Sequence, residues 1–179
     1  MFLTAIPGLV TDTHTVDAAN NVPFPVPLGV IFVESADAGK NRDPNTTPSV
    51  RSRGTRRWVF VYNDSGVDIA ANKVVARKAT EQKFHGRVAP ASTPQGLLVG
   101  ISQNIIPNGS AGWVVCEGVC DVTSDDTTAL TVSTSIGMGT GGVAGCVQTV
   151  AATASHLGWA VEGVGVSTVA TVYAHFPVG

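Results

Sequence analysis

The chain has 179 residues, enough for one domain with a substantial core. Hydrophobic residues make up 44% and charged residues only 13%, and twenty glycines and ten prolines fall between short apolar runs, with mean hydropathy at +0.22; this argues against a coiled coil, a helical bundle and a disordered tail, and leaves an all-β architecture. The net charge of −2 conceals a division, because every Lys and Arg lies between Lys40 and Arg87: residues 1–87 carry +3, and residues 88–179 carry −5 from Glu117, Asp121, Asp125, Asp126 and Glu162.

In chain order, Met1–Val10 lacks the basic n-region of a signal peptide and is interrupted by Pro7 and Gly8, so no secretory leader is expected. No later run reaches membrane-spanning length. Residues 1–57 contain Pro23, Pro25, Pro27, Pro44 and Pro48, which remove backbone donors and hold their neighbours extended. They read as an extended, Pro-rich and basic N-terminal arm, with one strand near 28–33 from Leu28-Gly29-Val30-Ile31-Phe32-Val33.

A β-rich domain is expected over 58–179, starting with the β-branched and aromatic run Trp58–Tyr62 and a turn at Asn63-Asp64-Ser65-Gly66. Further strands are expected at 73–77, 97–102, 112–122, 130–134, 157–162 and 168–176, with a tight turn at Asn108-Gly109. The fold class is therefore all-β, a compact sandwich or barrel-like body with short turns. On the last strand Val169, Thr171, Tyr173 and His175 share one face, and Ala170, Val172, Ala174 and Phe176 the other. Apolar groups on both faces suit a strand covered on two sides or lying at a subunit contact.

Motifs that could carry chemistry are weak. Gly137-Met138-Gly139-Thr140-Gly141-Gly142 matches the dinucleotide pattern, but the next residues, Val143–Val150, are β-branched rather than helical, so an inter-strand loop is the expectation. Cys116, Cys120, Cys146 and the four histidines lack zinc spacing, and the acids near Asp125 lack the alternation of a calcium loop, so neither metal nor cofactor is expected. Three cysteines argue against a disulfide framework. On one strand Cys116 and Cys120 would lie about 13 Å apart, too far to bond, and would point to one face as small buried groups. Ser133-Thr134-Ser135-Ile136-Gly137 lacks the first glycine of a nucleophile elbow. Gly112–Val119 and Gly158–Val164 resemble each other, a coincidence that short β runs readily produce.

Arg51-Ser52-Arg53-Gly54-Thr55-Arg56-Arg57 is the one dense basic cluster. Without interleaved aromatics or a base-reading motif it suits an acidic protein surface better than nucleic acid.

From Tyr62 onward the chain resembles the capsid decoration, or cement, proteins of tailed bacteriophages. The residues carrying the likeness are Tyr62–Ala71, then Leu98–Val114 with Gly100-Ile101-Ser102-Gln103-Asn104 and Gly109-Ser110-Ala111-Gly112-Trp113-Val114, then His156–Glu162 and the closing Val-rich strand. The first 57 residues, the basic segment and the cysteines have no counterpart in that pattern. The resemblance implies a non-enzymatic, mostly β head-stabilising protein, commonly a homotrimer, seated on the outside of the mature shell after synthesis in the bacterial host cytoplasm. Its partner would be the major capsid protein, with no nucleic acid and no membrane.

On that expectation Arg51, Arg53, Arg56 and Arg57 are the candidate contacts to the capsid. Trp113 and Trp159 are candidate subunit contacts, or core residues within one subunit. The rival expectations are a fibre or tail-surface module recognising a host glycan through exposed aromatics, and a hydrolase acting through Cys116 or Ser135 with His156.

Overall fold

The computed structural model describes residues 14–15, 27–34, 54–79, 82–151 and 156–177. The arm expected over 1–57 therefore lies mostly outside the described residues. Among the described residues eleven strands form one sheet: β1 (His14–Thr15), β2 (Ile31–Glu34), β3 (Arg56–Asn63), β4 (Val74–Ala79), β5 (Gln82–Val88), β6 (Leu98–Ser102), β7 (Ser110–Thr123), β8 (Ser135–Met138), β9 (Val147–Thr149), β10 (Gly158–Ala160) and β11 (Val169–His175). A three-residue 3-10 turn, Gln95–Leu97, is the one helical element among the described residues, so the fold is all-β as expected.

The sheet closes on itself twice around one long strand. β3 pairs in parallel with β5, β5 with β4, β4 with β6, β6 with β7, and β7 returns to β3, making a ring of five strands. The C-terminal half of β7 then pairs with β11 over seven positions, from Val169↔Thr123 to His175↔Glu117. β11 passes to β10, β10 to β8 and β8 to β9, and an isolated bridge Ser124↔Val147 brings β9 back to the end of β7. With 14 residues β7 is long enough, at roughly 45 Å, to belong to both rings. Gly118 sits where β7 passes from β3 to β11; its φ of +110 and the Thr55 carbonyl only 2.7 Å from where a Cβ would stand exclude a side chain there.

Strand composition follows burial. β3 is buried over Trp58–Val61, with Val59, Phe60 and Val61 fully inaccessible, and neither of its edges is open: β2 and β5 share one and β7 takes the other. Phe32, Phe60 and Trp113 form an aromatic wall, with Trp113 5.0 Å from Phe60 and 6.0 Å from Phe32 between ring centroids. The second ring combines small groups, Cys120, Val122, Ala160, Ala170, Val172 and Ala174, with the larger Ile136 of β8. Cys116 and Cys120 are buried and unbonded, as read from their spacing.

The strand expected near 28–33 is present as β2, and those at 73–77, 97–102, 112–122, 157–162 and 168–176 all have counterparts. The run at 130–134 is not a strand. Leu130 makes only an isolated bridge to Val164, and Ser133 adopts φ +60, which breaks an extended path. β1, β5, β8 and β9 were not expected. β5 alternates Phe84, Gly86 and Val88 with His85 and Arg87, a half-buried strand whose polar residues hide the pattern, and β8 and β9 are short pieces around the glycine-rich loop.

Candidate interaction face

The basic cluster is divided by the fold. Arg51 and Arg53 lie outside the described residues. Arg56 opens β3 at 6% exposure, so it is not an outward contact. Its Nε and Nη2 donate to the two Glu34 oxygens at 2.7 and 2.8 Å, Trp58 Nε1 donates to Glu34 Oε2 at 2.9 Å, and the guanidinium lies 4.8 Å over the Trp58 ring. Glu34 comes from β2, so this node ties β2 to β3. Arg57 points outward, half-exposed, and bonds Glu117 Oε2 at 3.0 Å. Sequence reading missed the node because Glu34 and Arg56 are brought together only by the β2–β3 register.

The two candidate tryptophans also part. Trp113 is 3% exposed inside the aromatic wall and packs within the subunit. Trp159 is 46% exposed on β10, directly opposite Tyr173 on β11, itself 37% exposed. Their ring centroids are 5.8 Å apart, and His156 extends the row at 5.8 Å from Trp159. The similar segments around Gly112 and Gly158 thus occupy opposite environments, one in the core and one at the surface.

Alternation on β11 delivers this face. Ala170, Val172 and Ala174 fill the core while Val169, Tyr173 and His175 look outward, and Val161, 50% exposed, lies beside Thr171 through its N–H bond to the Thr171 carbonyl. Acidic groups border it. Asp121 on β7 accepts from Thr171 Oγ1 at 3.2 Å, and Glu162 Oε1 accepts from Thr171 N–H at 2.7 Å.

The thiols and the buried acid considered for chemistry hold structure. Burial pushes the Cys116 thiol up to about 11, a poor nucleophile at neutral pH. Cys120 and Cys146 are buried too, and Cys146 Sγ accepts from Lys73 Nζ at 3.1 Å. Asp125 is buried and pins the glycine loop: it accepts from Gly141 N–H at 3.0 Å, Thr127 Oγ1 at 2.9 Å and Asp126 N–H at 3.0 Å. Burial raises its carboxyl, but these hydrogen bonds outweigh that and hold it below the usual range. β9 comes after the glycine loop, not a helix. Among the described residues no three His, Cys, Asp or Glu side chains gather to hold a metal. An open groove of about 350 Å³ between the 92–98 segment and the β8–β9 hairpin has an uncharged lining that includes Gln95, Met138, Thr140, Gln148 and Leu157.

The sequence segments at 62–71 and 98–114 meet in one hydrogen-bonded node. Asn63 Nδ2 donates to the carbonyls of Val67 and Ile106 at 2.9 and 2.8 Å. Gly66 N–H donates to Asn108 Oδ1, and Asn108 N–H to Asp68 Oδ1, both at 2.8 Å. Gln103 bonds both backbone groups of Asp121 on β7.

No family model and no curated protein matches this chain. Among solved structures it is similar to the N base of head fiber gp8.5 in bacteriophage phi29, with 11% sequence identity and a TM-score of 0.48, over 65% of this chain and 92% of that chain.

Proposed function

We propose that this chain is a non-enzymatic structural virion protein that binds the outer surface of a mature phage capsid and stabilises it. The observation that carries the reading is the hydrogen-bonded node between residues 62–71 and 98–114. The separate segments that resemble the decoration proteins are joined in space in this chain, Asn63 and Asp68 to Asn108 and Ile106, and Gln103 to β7, so the residues that carry the resemblance form one linked set of fold-building contacts. Those side chains hold turns and strand edges, which leaves the protein to act through its surface. In the same reading its partners are the major capsid protein and further copies of itself in a trimer. Arg51, Arg53 and Arg57 are the arginines offered to acidic lattice groups, Arg57 by exchanging a surface ion pair of low value.

The mechanism is mass action. A protein that binds only the expanded lattice stabilises it by about 2.7 kcal/mol per site when free protein is one hundred times Kd. Repeated over a shell, that increment resists internal pressure without any single strong bond. The test adds purified protein to expanded shells that lack it and monitors bound copies and shell rupture on heating. Saturable binding at a simple lattice ratio with a raised rupture temperature is expected; absence of saturable binding overturns the reading. A second reading, a fibre or tail-surface module for a host glycan, draws on the exposed Trp159–Tyr173 pair.

A further inference from the structure

We propose that the outward face of β10 and β11, centred on Trp159 and Tyr173, is the surface that docks on the shell, against an apolar patch rimmed by Lys or Arg. This rests on the capsid-binding reading and names its contact surface.

Four large apolar side chains share this face, Trp159 on β10, Val161 just after it, and Val169 and Tyr173 on β11, at 46, 50, 47 and 37% exposure. Singly exposed apolar residues need no explanation, but a cluster on one regular face marks an interaction site. Trp159 and Tyr173 are direct cross-strand partners, and the backbone bond from Val161 to Thr171 continues the row to Val169 two residues along. The face is also held rigid. Beneath it Ala160, Ala170, Val172 and Ala174 are in the core, and β11 is zipped to β7 over seven positions. Docking on a preformed face loses little conformational entropy.

The composition selects the partner. A Trp–Tyr pair flanked by valines, with polar groups at the margin, is the pattern of a protein–protein hot spot, whereas a sugar would need hydrogen-bonding groups where the valines stand. The margin carries Glu117, Asp121 and Glu162, and the chain has no Lys or Arg after Arg87; Arg57 reaches this margin through Glu117. Charge complementarity therefore calls for Lys or Arg opposite Asp121 and Glu162, with an acidic group only where Arg57 stands. Two copies placed face to face would oppose their acids, so this face is not a two-fold self-contact.

The test uses the full chain and expanded shells that lack it, with Trp159→Ala, Tyr173→Ala, Val169→Lys and Val169→Glu, each checked for an unchanged thermal transition. Trp159→Ala should weaken shell binding by about 30-fold, the value of a central hot spot. Val169→Lys should weaken it more than Val169→Glu. Should wild-type protein bind shells and all four variants match it, the docking face is wrong while the capsid reading stands. No shell binding by wild-type protein overturns both. Two further results also overturn the docking face: Trp159→Ala dissolving a self-associated species in sedimentation with shell binding intact, or Trp159→Ala abolishing binding of a neutral oligosaccharide with shell binding intact. If one variant alters the fold, the Val169 pair decides the matter through its charge order.

Discussion

Replacing Glu34 by Gln should unlatch the edge of the first ring. The Glu34 carboxylate accepts three hydrogen bonds, two from Arg56 and one from Trp58 Nε1. The Arg56 and Glu34 side chains are only 7 and 19% exposed, so water can replace little of what is lost. Removing one partner of a buried ion pair leaves the other charge uncompensated and costs about 3–5 kcal/mol. The amide of Gln keeps one acceptor, which places Glu34→Gln near the lower end, at about 3 kcal/mol. With a urea m-value of about 2 kcal/mol/M the midpoint should fall by about 1.5 M. The double replacement Glu34→Leu with Arg56→Met removes both charges and leaves the Trp58 Nε1 donor without its acceptor, so it should cost about 1–2 kcal/mol, less than the single replacement. Equilibrium urea unfolding monitored by tryptophan fluorescence checks both. A single-variant loss below about 1 kcal/mol at unchanged m, or a double variant less stable than Glu34→Gln, would refute the reasoning.

Buried thiols, carboxylates and glycines make further expectations testable. The Cys116 thiol is raised by burial to about 11 from an ordinary value near 9. The folded state thus resists its ionisation, the associated stability is intact below pH 9, and it is lost as pH rises towards 11, by roughly 3 kcal/mol in all. Urea unfolding at stepped pH should show that slope, and Cys116→Ala should flatten it. Asp125 is held below the usual carboxylate range, so its contribution is present at neutral pH and is lost as pH falls through the depressed value. Asp125→Asn should lower thermal stability at pH 7 and reduce the acid dependence; an unchanged acid limb would show that Asp125 does not anchor the 137–142 loop. Gly158→Ala should be severely destabilising, by more than about 4 kcal/mol, because φ is +140 and a Cβ would overlap the Tyr173 carbonyl oxygen. Its soluble yield and melting temperature measure this, and a shift of only a few degrees would contradict it.

Much of the fold was legible because period-two runs of β-branched and aromatic residues need no partner to be recognised. Trp58–Tyr62, Gly112–Val122 and Thr168–Phe176 gave β3, β7 and β11. β5 escaped because His85 and Arg87 interrupt its apolar residues and its inward ones include Gly86, whose missing side chain admits Val75. The site was less legible. Arg56 and Arg57 are neighbours of one type, and only the strand's alternation, with Glu34 waiting on β2, makes one a buried latch and the other a surface ion pair. Trp113 and Trp159 sit in similar segments, yet one faces Phe60 and the other faces outward beside Tyr173.

What the amino-acid order settles alone is composition-level and local: a low-charge, glycine- and proline-punctuated β protein with no Lys or Arg after Arg87 and turns at Asn63–Gly66 and Asn108–Gly109. The double closure around β7, and with it which face of each strand meets a core, was decided by pairings between residues far apart in the chain, such as Arg57 with Glu117, 60 positions away. Strand pairing is non-local, and a shift of one residue exchanges inside for outside, so the side on which Trp159 stands belongs to the tertiary structure.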